Sequence, residues 1–481
     1  MARRPARSRI FLTSRQQSHT YGELYEFSER FRNLIVGSVQ VEDPVYFVCD
    51  SSDLLVMSVA ACWLNDIPFF PIHPGLPTAK IAEYLEMFPD SPIFVDDADD
   101  LAELDLKDRV IELDSIPDAP KAEKPGPAKI DKERIFGYFL TSGTTGRSKV
   151  VPLKRRQMIA GAQASARNFK PESDHYWLQC MPFNHVGGVS VVLRSLLYGS
   201  AIYRMSRFDK DEVERLFREE PRLQVASLVP TMLKRLMNSA SFMPHDGFKA
   251  ILLGGGPIAP NLVYQCKQRG VPVVPSFGMT ETCAQIVSVP LKKRDSIPDD
   301  SVGRVFAGNK IQIRKNKNVV AETGEEGNIW LYGKQIFDDY IGAYQKKFFD
   351  DEGWFNTGDW GRKDRQGNLF VLSRRTDLIV TGGENVNPYE VEEVLSGLEG
   401  IGDCAVIGLP DEEWGQIVTA CVVPADNRNH PHLNYIRDRL RNFLPGYKLP
   451  HKLFLLESIP KTPGGKIKRL ELTRTLRRIR M

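Results

Sequence analysis

The sequence predicts an α/β protein, with a large N-terminal domain over residues 1–372, a joint at 373–378 and a small C-terminal domain over 379–481. Three changes of pattern predict it. Up to about Val289, apolar runs of strand length alternate with helix-like stretches, as at Val45–Cys49, Ile67–Pro71, Val225–Val229, Ala250–Leu253 and Val271–Pro275. Such alternation builds largely parallel sheets layered with helices. From about Ser301 to Leu372, short strand-like runs (Lys310–Arg314, Gly327–Tyr332, Leu369–Leu372) sit between Gly, Asn and Asp turns, the pattern of a small β-rich subdomain. Beyond Ile379 the pattern changes again, to α+β.

That last stretch begins with Asn387-Pro388-Tyr389-Glu390, read as an N-cap, a proline at the first helical position and a glutamate reaching back. Val391, Val394, Leu395 and Leu398 follow at helical spacing. Strands are expected at Ala405–Leu409, Val418–Val423 and Leu453–Leu456, and a helix on Leu433, Ile436, Leu440 and Leu444. About 100 residues of this kind are enough to fold alone.

Composition narrows the function classes. The 481 residues are 42% apolar, enough for large cores. With 64 basic and 61 acidic side chains the net charge is +3, which gives no overall field for nucleic acid or membrane. The basic end, Arg469 to Arg480, reads as a solvated tail, with attraction for an anion as the alternative. Seven cysteines form no CxxC pair. That argues against a disulfide framework or a zinc site and for a reducing compartment. The N-terminus is basic without the apolar core of a signal peptide, and no apolar run reaches spanning length. A cytoplasmic protein without an integral membrane segment is expected.

The sharpest local feature is Thr141-Ser142-Gly143-Thr144-Thr145-Gly146-Arg147-Ser148-Lys149. Its glycines free backbone N–H groups, and hydroxyls and two cations surround them. Those are the parts that hold a triphosphate. The Walker spacing does not fit, and strand-like runs, Phe136–Leu140 and Val150–Leu153, flank the loop.

This loop resembles the signature of the adenylate-forming superfamily, which includes acyl-CoA synthetases, luciferases and peptide-synthetase adenylation domains. Other motifs of that superfamily follow in order over nearly the whole chain: Met181-Pro182-Phe183-Asn184-His185, Gly254-Gly255-Gly256-Pro257, Phe277-Gly278-Met279-Thr280-Glu281, Asn356-Thr357-Gly358-Asp359, Arg374 to Glu384, and Pro463 to Arg469. The resemblance implies a large N-terminal domain of two α/β subdomains plus a small β-barrel-like one, followed by a small mobile α+β domain. It implies ATP and Mg2+ as cofactors and coenzyme A as cosubstrate. It also implies roles. Asp359 takes the ribose hydroxyls of ATP, with Arg374 also reaching the ribose. Gly254, Gly255 and Gly256 lie against adenine, with Phe277 as a stacking face beside Gly278. Glu281 is the magnesium ligand, Thr280 bonds the reacting phosphate, and His185 walls the acid pocket near the α-phosphate. Lys466 bridges the acid and the α-phosphate during adenylation. Gly382 and Gly383, with Glu384, line a tunnel for the thiol arm of CoA once the small domain has turned on its hinge. A plain β-turn reads those two glycines equally well.

Within the superfamily the sequence resembles the o-succinylbenzoate–CoA ligases of menaquinone synthesis, through Leu252 to Pro257, Thr280 to Ile286 and Met181 to Gly199. One residue supports this branch on its own chemistry. Arg194 interrupts the apolar run VSVVLRSLL. A buried cation there needs an anion, and a second substrate carboxylate would supply one; the alternative is an arginine snorkelling to the surface. Gln285 is placed to bond the keto or carboxylate oxygens of the same acid. A medium-chain or aryl acid–CoA ligase, and an adenylating enzyme that loads a carrier protein, are the alternative functions. Expected partners are small molecules (acid, ATP and CoA), with an oligomer left open.

Overall fold

The computed structural model describes residues 5–35, 43–50, 52–106, 109–122, 130–141, 149–256, 258–342, 348–373, 379–386, 388–426, 431–460, 467 and 469–479. The chain forms two compact units. The larger holds Met1–Pro74, Tyr84–Leu140 and Val150–Ser373, and the smaller Gly75–Glu83, Thr141–Lys149 and Arg374–Met481.

Two α/β layers make most of the larger unit. One sheet has six strands in the order Val110–Glu112, Ile93–Val95, Val45–Val48, Phe69–Ile72, Ile135–Thr141 and Lys149–Lys154. The other has nine: Arg304–Val305, Ala284–Ser288, Val273–Met279, Ala250–Leu253, Leu223–Leu228, Tyr176–Gln179, Ala201–Arg204, Ile10–Thr13 and Ser18–Thr20. Six neighbours in the second sheet, from Val273–Met279 to Ile10–Thr13, run parallel. The expected strands are therefore present: Ala250–Leu253 keeps its expected bounds, and the others are displaced, most of all Val273–Met279, which runs beyond the expected Pro275.

Helices Tyr21–Ile35, Asp53–Asn65, Arg155–Phe169 and Val186–Tyr198 pack on one another. One apolar core joins them to both sheets, through Phe47 and Phe94 on one side and Trp177, Ile202 and Val274 on the other. That central position explains why Asp53–Asn65 (DLLVMSVAACWLN) is apolar nearly all round. A second core lies on the opposite face of the nine-stranded sheet. There Leu178, Ala226 and Ile251 meet the helices Lys210–Glu219, Pro230–Met237 and Pro260–Gln268. The β-rich stretch forms a five-stranded antiparallel sheet in the order Val319–Val320, Asn309–Asn316, Glu326–Gly333, Phe355–Lys363 and Leu369–Ser373.

The smaller unit is built on a long hairpin, Ile401–Asp411 with Gly415–Pro424, extended by Ile379–Thr381, Glu384–Val386 and Lys452–Leu455. The helices Pro388–Ser396 and Leu433–Leu440 cover one face and Arg469–Ile479 the other. Pro388 does open its helix, while Asn387 lies outside the described residues. Glu390 also has a partner that its local pattern does not announce: Lys448 Nζ stands 2.7 Å from each of its carboxylate oxygens, a partly buried ion pair, while the helix-start residue it is expected to reach lies outside the described residues.

All seven cysteines are free and buried. Burial pushes the Cys180 thiol up to about 12, so it stays protonated and unreactive. Among the described residues no helix is long and apolar enough to cross a membrane.

Candidate active site

The site residues of the larger unit gather where parallel strands end. In open α/β sheets, ligands bind in the crevice beyond the carboxyl ends of the strands. Leu228 pairs with Leu253, so those two strands finish level, while their neighbour Val273–Met279 pairs at Pro275 and runs on to Met279. Past those ends run Val229, then Gly254 to Gly256, then Thr280 to Thr282; the next strand, Tyr176–Gln179, leads to His185.

Backbone crowding explains the glycines here. A Cβ on Gly254 would stand 2.7 Å from Ser276 Oγ, and Gly255 has φ +75°. At Gly278 a Cβ would fall 1.9 Å from the Ala284 carbonyl oxygen, because the strand Ala284–Ser288 folds straight back on it. These glycines leave room for a flat group to meet bare backbone. Phe277 differs from expectation. It is 3% exposed and packs in the central core, so its ring has almost no open face on which a base could stack.

Thr280–Thr282 form a single 3-10 turn. Glu281 is 2% exposed, and its Oε1 accepts a hydrogen bond from the Tyr340 hydroxyl at 2.6 Å. His185 is the residue before the helix Val186–Tyr198, in extended backbone, and is half-buried. The loop carrying it lies so close to the helix start that a Cβ on Gly188 would be 2.6 Å from the Pro182 carbonyl oxygen.

Arg194 faces inward rather than snorkelling. It is 3% exposed, and its guanidinium carbon lies 4.1 Å from the centre of the Trp177 ring. Its Nε has no hydrogen-bond partner, and no carboxylate among the described residues pairs with it. Burial without a counter-charge pushes it down to about 9. The indole is itself held, by a 2.8 Å hydrogen bond from its Nε1 to Ser227 Oγ and by the edge of Phe169. Gln285 is 7% exposed and lies on the strand Ala284–Ser288, against which the Arg194 helix packs. Its amide nitrogen already donates to Ser165 Oγ at 2.6 Å, while Oε1 has no partner. Gln285 is thus better placed to accept a hydrogen bond than to donate two.

Asp359 is presented by a bulge. On the strand Phe355–Lys363, Asn356 pairs with Trp330 and Trp360 with Asn328, so residues 357–359 face Ile329 alone. Gly358 takes φ +76°, and the Asp359 N–H donates to Thr357 Oγ1 at 3.1 Å. Bulges of this kind re-aim side chains next to binding sites. Asp359 is 3% exposed.

The smaller unit carries the remaining motifs. Thr141 ends one strand, and its Oγ1 is buried with no hydrogen-bond partner among the described residues, an atom suited to a ligand. Lys149 opens the next strand and is 1% exposed. Ser142, Gly143, Thr144, Thr145 and Gly146, like Arg374 and Lys466, lie outside the described residues. Gly382 (φ +58°) and Gly383 (φ +93°) form the two-residue turn between the paired Thr381 and Glu384. Positive φ at both positions is what a tight hairpin of this kind requires, and a Cβ on Gly382 would press on the Trp414 ring at 2.8 Å.

Among the described residues no cluster of three or more His, Cys, Asp or Glu is arranged to hold a metal ion. A lone oriented carboxylate such as Glu281 fits magnesium nonetheless, since that ion keeps waters and takes most other ligands from phosphates. Tyr340, Gln335, Trp177 and Ser165 were not legible as site residues. Each reaches its partner over 50 or more positions, apart from Arg194 and Trp177, which are joined only by a ring contact.

Fold and site define an adenylate-forming enzyme. The AMP-binding enzyme family model matches residues 1–341, and the AMP-binding enzyme C-terminal domain model matches 390–466. The chain belongs to the AMP-binding enzyme family, among its AMP-forming acid–CoA ligases. It is 31% identical over 468 residues to a 2-succinylbenzoate–CoA ligase of Staphylococcus epidermidis, covering 96% of this chain and 94% of that one. A Listeria monocytogenes enzyme of the same name is 37% identical over 345 residues, 71% of this chain and 70% of its own. Among solved structures, a double mutant of o-succinylbenzoate CoA synthetase from Bacillus subtilis, bound with its product analogue, matches with a TM-score of 0.89 and 29% identity over 97% of this chain and 96% of that one. A structure of that synthetase with ATP and magnesium matches with a TM-score of 0.71, at 29% identity over 96% of each chain.

Proposed function

We propose that this enzyme activates 2-succinylbenzoate, first as an acyl-adenylate and then as a CoA thioester. The observation that carries the substrate is Arg194, a buried guanidinium stacked on Trp177 with no anion among the described residues beside it. An acid with two carboxylates leaves one to react and one to pair. A planar carboxylate can accept two parallel N–H bonds from the guanidinium, whose plane the indole fixes. A monocarboxylic acid would leave the buried cation unpaired, which disfavours its binding. The relatives named for 2-succinylbenzoate support the same acid.

The remaining residues divide the work as the sequence suggests, with one change. The backbone at Gly254 to Gly256 holds adenine without Phe277 as a stacking partner, and Asp359 takes the ribose hydroxyls with Arg374. Thr141 to Lys149 hold the phosphates, and Thr280 bonds the one that reacts. Glu281 would hold magnesium, which neutralises charge on the phosphates when bound. His185 walls the acid pocket beside Arg194 and Gln285. Lys466 places a cation where charge develops during adenylation. The unit over 379–481 carries Lys466 and turns on the joint at 373–378, so that Gly382 and Gly383 meet the thiol arm of CoA in the second step. Buried free thiols support a reducing cytoplasm.

Mass spectrometry of products from 2-succinylbenzoate, ATP, magnesium and CoA tests the reading. AMP and a monothioester of the diacid are expected. Failure to form that thioester, while a simple aryl or medium-chain acid is turned over well, would remove the substrate. Lys466→Ala should lower adenylate formation by roughly 10²–10³-fold and spare thioester formation from supplied adenylate.

A further inference from the structure

Glu281 belongs to a turn that needs outside support. Cys283 (φ 54°) and Ala284 (φ 78°) are both left-handed, and neither is a glycine. A Cβ disfavours that conformation, and it persists only where surrounding contacts enforce it. One short segment farther along the chain supplies those contacts at three points. The Gln335 amide nitrogen donates to Thr282 O at 2.7 Å and also to Gln285 O, the carbonyls that bracket the two left-handed residues. The Phe337 N–H donates to Glu281 O at 2.9 Å. The Tyr340 hydroxyl donates to Glu281 Oε1 at 2.6 Å.

The strap is rigid. Gln335 is fully buried and Tyr340 is 6% exposed. Phe337 and Phe348 hold the Tyr340 ring edge-on, with centroids 4.7 and 4.8 Å away. A carboxylate otherwise rotates about its last bond and offers either oxygen. A phenol fixed on Oε1 removes that freedom before a cation arrives. Groups that orient a ligand in this way commonly control metal affinity.

We infer that Tyr340 is a positioning residue, whose hydroxyl locks the Glu281 carboxylate and thereby sets how tightly the enzyme takes up the divalent cation that accompanies ATP. This rests on Glu281 as the cation ligand. Tyr340→Phe keeps the ring and its aromatic contacts and removes only the hydroxyl. The full chain is titrated with Mn2+ in the presence of a non-hydrolysable ATP analogue, with free Mn2+ read by electron paramagnetic resonance. Pyrophosphate exchange is followed against Mg2+ in parallel.

The expected result for Tyr340→Phe is about tenfold weaker Mn2+ uptake. The Mg2+ concentration for half-maximal exchange should rise by a similar factor, with most of the rate recovered at saturating Mg2+ and a melting temperature lowered by no more than a few degrees. Glu281→Gln should lose uptake more severely. Should Glu281→Gln bind Mn2+ as well as wild type, Glu281 is not the ligand, and the inference falls with that reading. Should Glu281→Gln lose uptake while Tyr340→Phe retains it, the role of Tyr340 alone is overturned.

Discussion

Two buried arginines of the larger unit invite comparison. Arg155 and Arg194 are 0% and 3% exposed, and each lies over an indole, Trp63 at 4.7 Å and Trp177 at 4.1 Å. Arg155 meets an anion and two carbonyls inside the protein. Asp66 Oδ1 stands 2.6 Å from its Nε, and its terminal nitrogens donate to the carbonyls of Trp63 and Cys62. It ties the start of the helix Arg155–Phe169 to the end of the helix Asp53–Asn65. Arg194 has the same stacking and burial with no anion and no carbonyl among the described residues to meet it. The first is a completed structural joint and the second a half-built pair. The missing half is the part a substrate can bring.

The comparison can be broken from either side. The largest effect should come from Arg155→Met, which leaves Asp66 buried, with Arg134 and the Asp131 N–H each 3.4 Å away, and frees two buried carbonyls. Loss of about 3–5 kcal/mol is expected, read as a large fall in the denaturant midpoint. The preference for diacid over monoacid in the surviving folded enzyme should not change. A midpoint within error of wild type would mean that Arg155 is no joint at all.

A pH series gives the next largest effect. Burial lowers Arg194 to about 9, and no opposing charge restores it. Below that pH the group is protonated in both folded and unfolded chains and adds no slope. Above it the unfolded chain keeps the proton and the folded chain does not, so this group makes stability rise with pH. Recognition moves in the opposite direction, since a neutral guanidine holds a carboxylate poorly. The diacid KM should climb about tenfold per pH unit above 9, while the KM of a monoacid analogue stays flat. Parallel profiles for the two acids would contradict this assignment. The smallest effect should be on the stability of Arg194→Leu. Removing an unpaired buried cation leaves no partner stranded, so its midpoint should match or slightly exceed wild type, within about 1 kcal/mol.

Much of this was legible in the sequence, for physical reasons. Strand and helix periodicity marked the layers because burial sets those patterns locally. Gly254, Gly255 and Gly278 were visible because close backbone approach admits no Cβ. Arg194 was visible as a cation interrupting an apolar helix face. What escaped notice was made by contacts distant along the chain. Tyr340 reaches Glu281 across 59 positions, and Gln285 reaches Ser165 across 120. Nothing in the sequence of either partner announces the other. Phe277 misled because an aromatic beside a glycine suits a stacking face and a core equally well, and only packing decides. The pairing of Glu390 with Lys448, 58 residues on, was likewise hidden, since a local helix-start pattern says nothing of it.

The most direct test is a competition. Wild type and Arg194→Leu are each given 2-succinylbenzoate, together with an analogue lacking its second carboxylate, under limiting ATP, and the two CoA thioesters are counted by mass spectrometry. The half-built pair predicts that wild type favours the diacid and that the substitution cuts this preference about a hundredfold while sparing turnover of the analogue. An unchanged product ratio would show that Arg194 does not read the acid.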